Sequence, residues 1–192
     1  MLQTDSELII KAQKGDALAF EELIYRYDKN VLSLVFKYVR DPDEAKDLYQ
    51  DVFLRVYRGL KNFEHRSEFS TWLFRIATNV CLTYKSRHKK RMMVSFYDKP
   101  EDEHEENIFE STIADTGLTP DKKLEDIETD SKIQSALDNL SPKQKMSFVL
   151  KHYEGYKIRE IAEIMDCKEG TIKKYLFDAV QKLRLELAAI YN

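Results

Sequence analysis

Residues Asp47 to Arg91 read DLYQDVFLRVYRGLKNFEHRSEFSTWLFRIATNVCLTYKSRHKKR, and three unlike surfaces follow one another within them. The first is a helix with apolar residues on one side and Asp47, Gln50, Asp51, Leu54 and Arg58 largely on the other. The second is a short aromatic and polar loop, Phe63 to Ser70. The third is a helix that starts near Thr71, capped by Ser70, and runs out into Lys85, Arg87, Lys89, Lys90 and Arg91. Cations neutralise phosphates, and exposed aromatic rings stack on unpaired bases. A partner-binding face, a base-sized pocket and a phosphate-binding helix end therefore stand in series, as in a protein that brings a partner to melted DNA.

Working outward, Asp41-Pro42-Asp43-Glu44 is a strong start for the first of these helices. Asp41 suits the N-cap, Pro42 the first helical position, and Glu44 the acid of a capping box. Ala45, Leu48, Val52 and Val56 then face inward. In the second helix Leu73, Ile76, Ala77, Val80 and Tyr84 form the core stripe, and Trp72 beside it reads as packing. Upstream, Thr4 and Asp5 can cap a short helix ended by Gly15, and Asp16 can cap the next. Phe20, Leu23, Ile24, Tyr27, Val31, Leu34, Val35 and Tyr38 recur at steps of three and four, which predicts one long amphipathic helix.

The 192 residues include only five Gly and four Pro, with 43% hydrophobic and 34% charged residues, which favours soluble helical structure over sheet. No apolar run approaches the roughly 20 residues of a membrane span, and the polar start MLQTDSE does not read as a signal peptide, so a cytoplasmic protein is expected. Cys81 and Cys167 lie far apart and outside any metal-ligand spacing, and the four His are scattered. No metal and no cofactor is expected.

The net charge of −3 conceals three blocks. Residues 1–94 hold 17 Lys and Arg against 13 Asp and Glu; residues 95–130 hold 3 against 13; residues 131–192 hold 11 against 8. Two basic lobes thus flank an acidic middle that has few apolar residues and reads as a flexible linker. Beyond it, Ile133, Leu137 and Leu140 mark a short helix. Ser141-Pro142-Lys143-Gln144 begins another, with Phe148, Val149 and Tyr153 inward and Gly155 at its end. Ile158, Ile161, Ala162 and Met165, a turn at Asp166-Cys167-Lys168, and a last helix with Ile172, Leu176, Ala179, Leu183 and Leu187 make a helix-turn-helix. The predicted fold is all-α: two small helical domains, 1–94 and 131–192, joined by the acidic linker 95–130.

Several of these motifs together resemble region two of a bacterial RNA polymerase sigma factor of the extracytoplasmic-function group, in the sigma-70 family. They are Gly15-Asp16-Ala17 with Phe20, Ala45-Lys46-Asp47-Leu48, Gln50-Asp51-Val52-Phe53, Phe69-Ser70-Thr71-Trp72-Leu73, Arg75-Ile76-Ala77 and Asn79. Glu160-Ile161-Ala162 and Gly170-Thr171-Ile172-Lys173 resemble region four of the same family. Where relatives commonly continue with Ser or Thr and Arg, this chain has Lys174, Tyr175 and Asp178. An acid at Asp178 repels phosphate but can accept a hydrogen bond from a cytosine amino group.

The resemblance implies an initiation factor that performs no catalysis. Asp47, Gln50, Asp51 and Leu54 are expected to dock on the clamp helices of the largest subunit of core RNA polymerase, and the C-terminal domain on the flap of the second-largest. Phe63, His65, Arg66, Ser67, Phe69, Asn79, Lys85, Arg87, Lys89, Lys90 and Arg91 are expected to contact the −10 element of promoter DNA, with one flipped base held by the loop and Asn79. Lys168, Gly170, Thr171, Lys173, Lys174 and Phe177 are expected at the −35 element. The linker is expected to thread basic polymerase channels, and an anti-sigma factor is the expected regulator. A helix-turn-helix regulator acting without polymerase would leave Asp47–Arg91 unexplained. An enzyme acting on nucleic acid would need clustered metal ligands or an acid/base pair that the sequence does not show.

Overall fold

The structure is a computed structural model that describes residues 3–95 and 132–191, and side chains throughout these except at 87–95 and 189–191. The expected linker therefore lies outside the described residues, apart from Ser95. Every regular element among the described residues is helical.

Local chemistry sets most helix ends. Thr4 caps α1 (Asp5–Gln13) in a capping box with Glu7, and Gly15, at φ 94°, makes the left-handed turn after it. Asp16 caps α2 (Ala17–Tyr25) by accepting the Ala19 amide. The long helix expected across Phe20–Tyr38 is two, because the chain turns at Arg26 and Tyr27 before α3 (Asp28–Val39). Side chains hold that turn in place. Arg26 donates to the Asp5 carboxylate at 2.8 Å and to the Gln3 carbonyl at 2.7 Å, and the Tyr27 hydroxyl also donates to Asp5.

Asp41 caps α4 (Pro42–Leu60) by accepting the amides of Asp43 and Glu44. The return bond expected from Glu44 is not made. Its carboxylate instead accepts from Tyr84 on α5, which with burial pushes the Tyr84 phenol up to about 12. Helix α5 (Phe69–Ser95) starts at Phe69, so Ser70 lies inside the first turn and is not the cap.

In the C-terminal half a short helix α6 covers 132–138. Ser141 and Gln144 form the expected capping box of α7 (Pro142–His152). Helices α8 (Ile158–Ile164) and α9 (Glu169–Tyr191) complete the chain.

The two halves pack together. Tyr38, Leu73, Phe74 and Ala77 from α3 and α5 share one apolar cluster with Met146, Val149, Leu150, Ile161 and Ile164 from α7 and α8. Phe74 meets Tyr156 edge-on at 5.1 Å, and Arg75 donates to the Glu163 carbonyl at 2.7 Å. Polar ties rim this contact: Ser33 to Glu154 at 2.9 Å, and Lys37 over the Tyr153 ring at 4.3 Å.

Asp138 accepts from Arg40 across the halves at 3.0 Å and from Lys145 at 2.6 Å, where the Lys145 side chain is only 3% exposed. Burial alone would raise the Asp138 carboxyl, but the bonds from Lys145 and Arg40 outweigh it and hold it below its ordinary value. Burial lowers Lys145 despite Asp138. The two shifts point opposite ways for the worth of the pair, and the more deeply buried Lys145 decides it. An enclosed ammonium is tolerated there rather than stabilising. For Asp138, folded below its unfolded value, the contribution is present near neutrality and is lost as the pH falls through that lowered range.

D138A should therefore cost about 2 kcal/mol, below the usual figure for breaking an enclosed pair because Asp138 is partly open to water. K145M, which removes the buried charge itself, should cost less than about 1 kcal/mol. Urea unfolding compares them, and equal losses would refute this account.

Candidate nucleic-acid and partner interfaces

Helix α4 divides as its sequence pattern requires. Ala45, Leu48, Val52 and Val56 are buried, while Asp47 and Gln50 are exposed and Leu54 is 53% exposed. Asp51 is half-buried, and both its oxygens already accept from Arg55, at 3.0 and 2.9 Å. The acidic face is thus partly self-neutralised by a neighbour one turn on. The i,i+4 spacing of Asp51 and Arg55 signals that pair in the sequence.

The loop differs from expectation in one respect. Phe63 and Phe69 are 7% and 4% exposed, so neither ring stands ready to stack on a base from the surface. They pack edge-on to each other at 6.0 Å and against Trp72 at 5.0 and 5.8 Å, with Tyr27 edge-on to Phe69 at 5.4 Å. Trp72 in turn lies against the α4 backbone at Gly59, where an added methyl would sit 3.1 Å from its ring. Glycine weakens a helix interior, and this close approach is the reason for it there.

Held at both ends by buried rings, the polar residues between them stay outside. His65 takes a left-handed conformation, φ 55°, and Arg66 pairs with Glu64 at 2.6 Å in solvent. His65, Arg66, Ser67 and Glu68 wall an open cavity of about 280 Å³, with Phe63 and Phe69 also in its lining. Asp5, Ser6 and Ile9 of α1 complete its lining, a placement that no local pattern announces. Gln13, also on α1, donates to the carbonyls of Leu60 and Phe63 at 3.0 and 2.9 Å and so fixes where the loop leaves α4.

Asn79 is exposed on α5 and is not among the residues that line this cavity. Lys85 is half-buried farther along. The backbones of Arg87, Lys89, Lys90 and Arg91 continue α5, but their side chains lie outside the described residues.

In the helix-turn-helix, the Glu160 carboxylate accepts the Lys157 amide at 2.7 Å at the start of α8. Asp166, at φ 49°, makes the turn, and buried Ile172 anchors α9 beneath it. Lys168, Gly170, Lys173 and Lys174 are exposed, Thr171 is half-buried and Phe177 is 65% exposed. Asp178 is half-buried. Gly170 has nothing within 4 Å of a would-be Cβ and no positive φ, so neither packing nor strain demands glycine there.

Among the described residues no group of His, Cys, Asp and Glu could hold a metal ion, and no helix is long and apolar enough to cross a membrane.

Comparison with known proteins agrees with this layout. Residues 23–91 match the family description Sigma-70 region 2, and residues 130–183 match Sigma-70, region 4. The ECF RNA polymerase sigma-E factor of Escherichia coli (strain K12) is 35% identical over 177 residues, covering 92% of this chain and 90% of that protein. The RNA polymerase sigma-H factor of Pseudomonas aeruginosa is 29% identical over 182 residues, with the same coverage. Among solved structures, the sigma factor RpoE in complex with the anti-sigma factor NepR, from Bartonella quintana, shares the fold at a TM-score of 0.64 and 22% identity, over 88% of this chain and 96% of that one. Full-length similarity at this level, on top of two separately matched regions, makes the chain a member of the extracytoplasmic-function group of sigma-70 factors.

Proposed function

We propose a division of labour for this sigma factor along the three surfaces that the fold leaves open. In segment 1–94, the α4 face with Asp47, Gln50, Asp51 and Leu54 docks on the clamp helices of core RNA polymerase. The loop cavity receives one unpaired base of the −10 element, with His65, Arg66 and Ser67 at its mouth and the Phe63 and Phe69 rings as its floor. Asn79 and the cations from Lys85 to Arg91 follow the strand along α5. In segment 131–192, Lys168, Gly170, Thr171, Lys173, Lys174 and Phe177 meet the −35 element, and the rest of the helical half binds the flap. Residues 95–130 connect the two. The protein acts in the cytoplasm, where polymerase is, and an anti-sigma factor restrains it.

The observation that carries this reading is that Asp47, Gln50 and Leu54, the loop residues His65, Arg66 and Glu68, and Lys168, Gly170, Lys173, Lys174 and Phe177 remain exposed although the two halves share a core. Each group is a surface the fold does not need for itself. Gly170 supports the −35 assignment, because a glycine without structural cause suits the close approach of a DNA backbone.

The closed packing belongs to the free protein on this reading. Elements named for positions −35 and −10 lie about 25 base pairs apart, roughly 85 Å at 3.4 Å per pair, beyond the reach of two domains in direct contact. The 36 residues 96–131 can span up to about 120 Å, enough to bridge that separation. Polymerase binding then competes with the contacts of Phe74, Arg75 and Arg40.

Reversing both acids of α4 (D47K with D51K) should abolish association with core polymerase and leave the fold helical, at about 0.5 kcal/mol or less per site. Unchanged affinity in a pull-down would remove α4 from the interface. N79A should impair open-complex formation on duplex DNA far more than on a template already melted at the −10 element. Equal loss on both templates would make Asn79 a residue of the fold alone. Dyes on α2 and α9 should move apart when core polymerase binds, and a constant energy-transfer efficiency would contradict the opening.

A further inference from the structure

A second cleft lies beside the loop cavity, and none of the assignments above uses it. It encloses about 490 Å³ between the α1–α2 turn and the C-terminal end of α4. Lys14, Arg58 and Lys61 contribute exposed cations to its lining, and none of them has an ion-pair partner among the described residues. The one acid in the lining, Asp16, is committed to the α2 N-cap through the Ala19 amide at 3.1 Å. Tyr57 stands 66% exposed over the cleft, its ring steadied by the edge of Phe20 at 5.2 Å and 76°. An exposed aromatic face ringed by uncommitted cations is the chemistry of a single-strand nucleic-acid site: the ring stacks on a base of any identity and the cations neutralise its phosphates.

The cleft also continues the loop cavity. On α1, Ile9 lines the cavity and Ala12 lines the cleft, about 4.5 Å apart along the helix axis. On the other side the cleft ends at Leu60 and Lys61, and the cavity begins at Phe63. The Gln13 side chain reaches across between them, donating to the carbonyls of Leu60 and Phe63. One nucleotide step of an unpaired strand bridges a septum of that thickness.

We infer that this cleft is a second subsite for the same unpaired DNA strand. A base next to the flipped one stacks on Tyr57, and Lys14, Arg58 and Lys61 hold the adjoining phosphates. The inference rests on the loop cavity as the site of the flipped base. It adds affinity without sequence preference, because stacking on an aromatic ring discriminates weakly among bases. The competing occupant is polymerase itself, since Tyr57 and Arg58 extend the α4 docking face one turn past Leu54.

The test is fluorescence-anisotropy titration of the full chain with two single-stranded oligonucleotides. One covers only the −10 element, and the other is lengthened by two nucleotides at either end. The longer one should bind about tenfold tighter, with a salt slope steeper by about 0.7 for each phosphate engaged. Y57A should abolish that gain and leave the short oligonucleotide unaffected, while Y57F retains it. The K14A/K61A pair should remove about 1.4 from the slope on the longer strand alone. No gain from lengthening overturns the inference and leaves the loop reading standing. So does a Y57A that weakens binding to core polymerase while both oligonucleotides bind as before, which would give the cleft to the enzyme. If replacing His65 and Ser67 leaves the short oligonucleotide's affinity unchanged while Y57A still removes the gain, the loop reading fails alone. Binding of neither oligonucleotide overturns both.

Discussion

A run of charged and polar residues can project from a helical bundle in a fixed shape only if its two ends are tied to something rigid. Phe63 and Phe69 supply that tie here. Burying an aromatic side chain is worth a few kcal/mol, and the edge-on contacts of Phe69 with Phe63 and Tyr27, with the tilted contacts of both Phe rings to Trp72, add directionality to it. The exit from α4 is set by Gln13, and the entry to α5 by Trp72 against Gly59. The shape of the cavity therefore depends on α4, α5 and the turn between α2 and α3, with Gln13 reaching in from α1. His65, Arg66, Ser67 and Glu68 can change without disturbing that frame. An aromatic frame with a polar insert lets recognition vary while the fold stays fixed.

The helix ends were legible in the sequence because capping is local chemistry. Asp41, Ser141 and Asp16 accept the amides their spacing promised, and Gly15 and Gly155 turn the chain with positive φ. The helix-turn-helix and the split of α4 into inner and outer faces were legible for the same reason, since period and turn residues lie within a few positions of each other. What the sequence hid was decided across long separations. The break at Arg26 and Tyr27 depends on Asp5 and Gln3, far upstream, so an unbroken apolar stripe could not show it. Ser70 looked like a cap, but the burial of Phe69 extends α5 past it. Glu44 looked like the acid of a capping box, but Tyr84 offers it a better donor. The far wall of the loop cavity comes from α1, and no periodicity announces which helix will face a loop.

Burial also shows what the loop aromatics do for the fold. In a sequence, a phenylalanine beside a basic run reads equally as a stacking platform or as an anchor. The anchoring role fits the loop's closing positions, where Phe63 and Phe69 stand, because a ring withdrawn into the core fixes the chain on either side of it. The exposed rings among the described residues of this half are instead Tyr25, Phe36 and Tyr57, the last on the outer face of α4.

The contact between the halves buries polar groups together with apolar ones. Across the contact, Tyr38 on α3 and Arg75 on α5 each bury a polar atom, the Tyr38 hydroxyl and Arg75 Nε, without a hydrogen-bond partner. Both residues face α7 and α8, as Lys145 over the Tyr38 ring at 5.5 Å and Arg75 on the Glu163 carbonyl show. A buried polar group left unpaired costs about 1–3 kcal/mol, and water repays that cost when it returns. Phe74, with Met146, Val149 and Leu150 of α7, favours closure, while these two groups and the enclosed Lys145 ammonium oppose it. Two large terms of opposite sign leave a small difference. A contact balanced in this way can hold the halves together in the free protein and still yield to a partner that binds each of them separately.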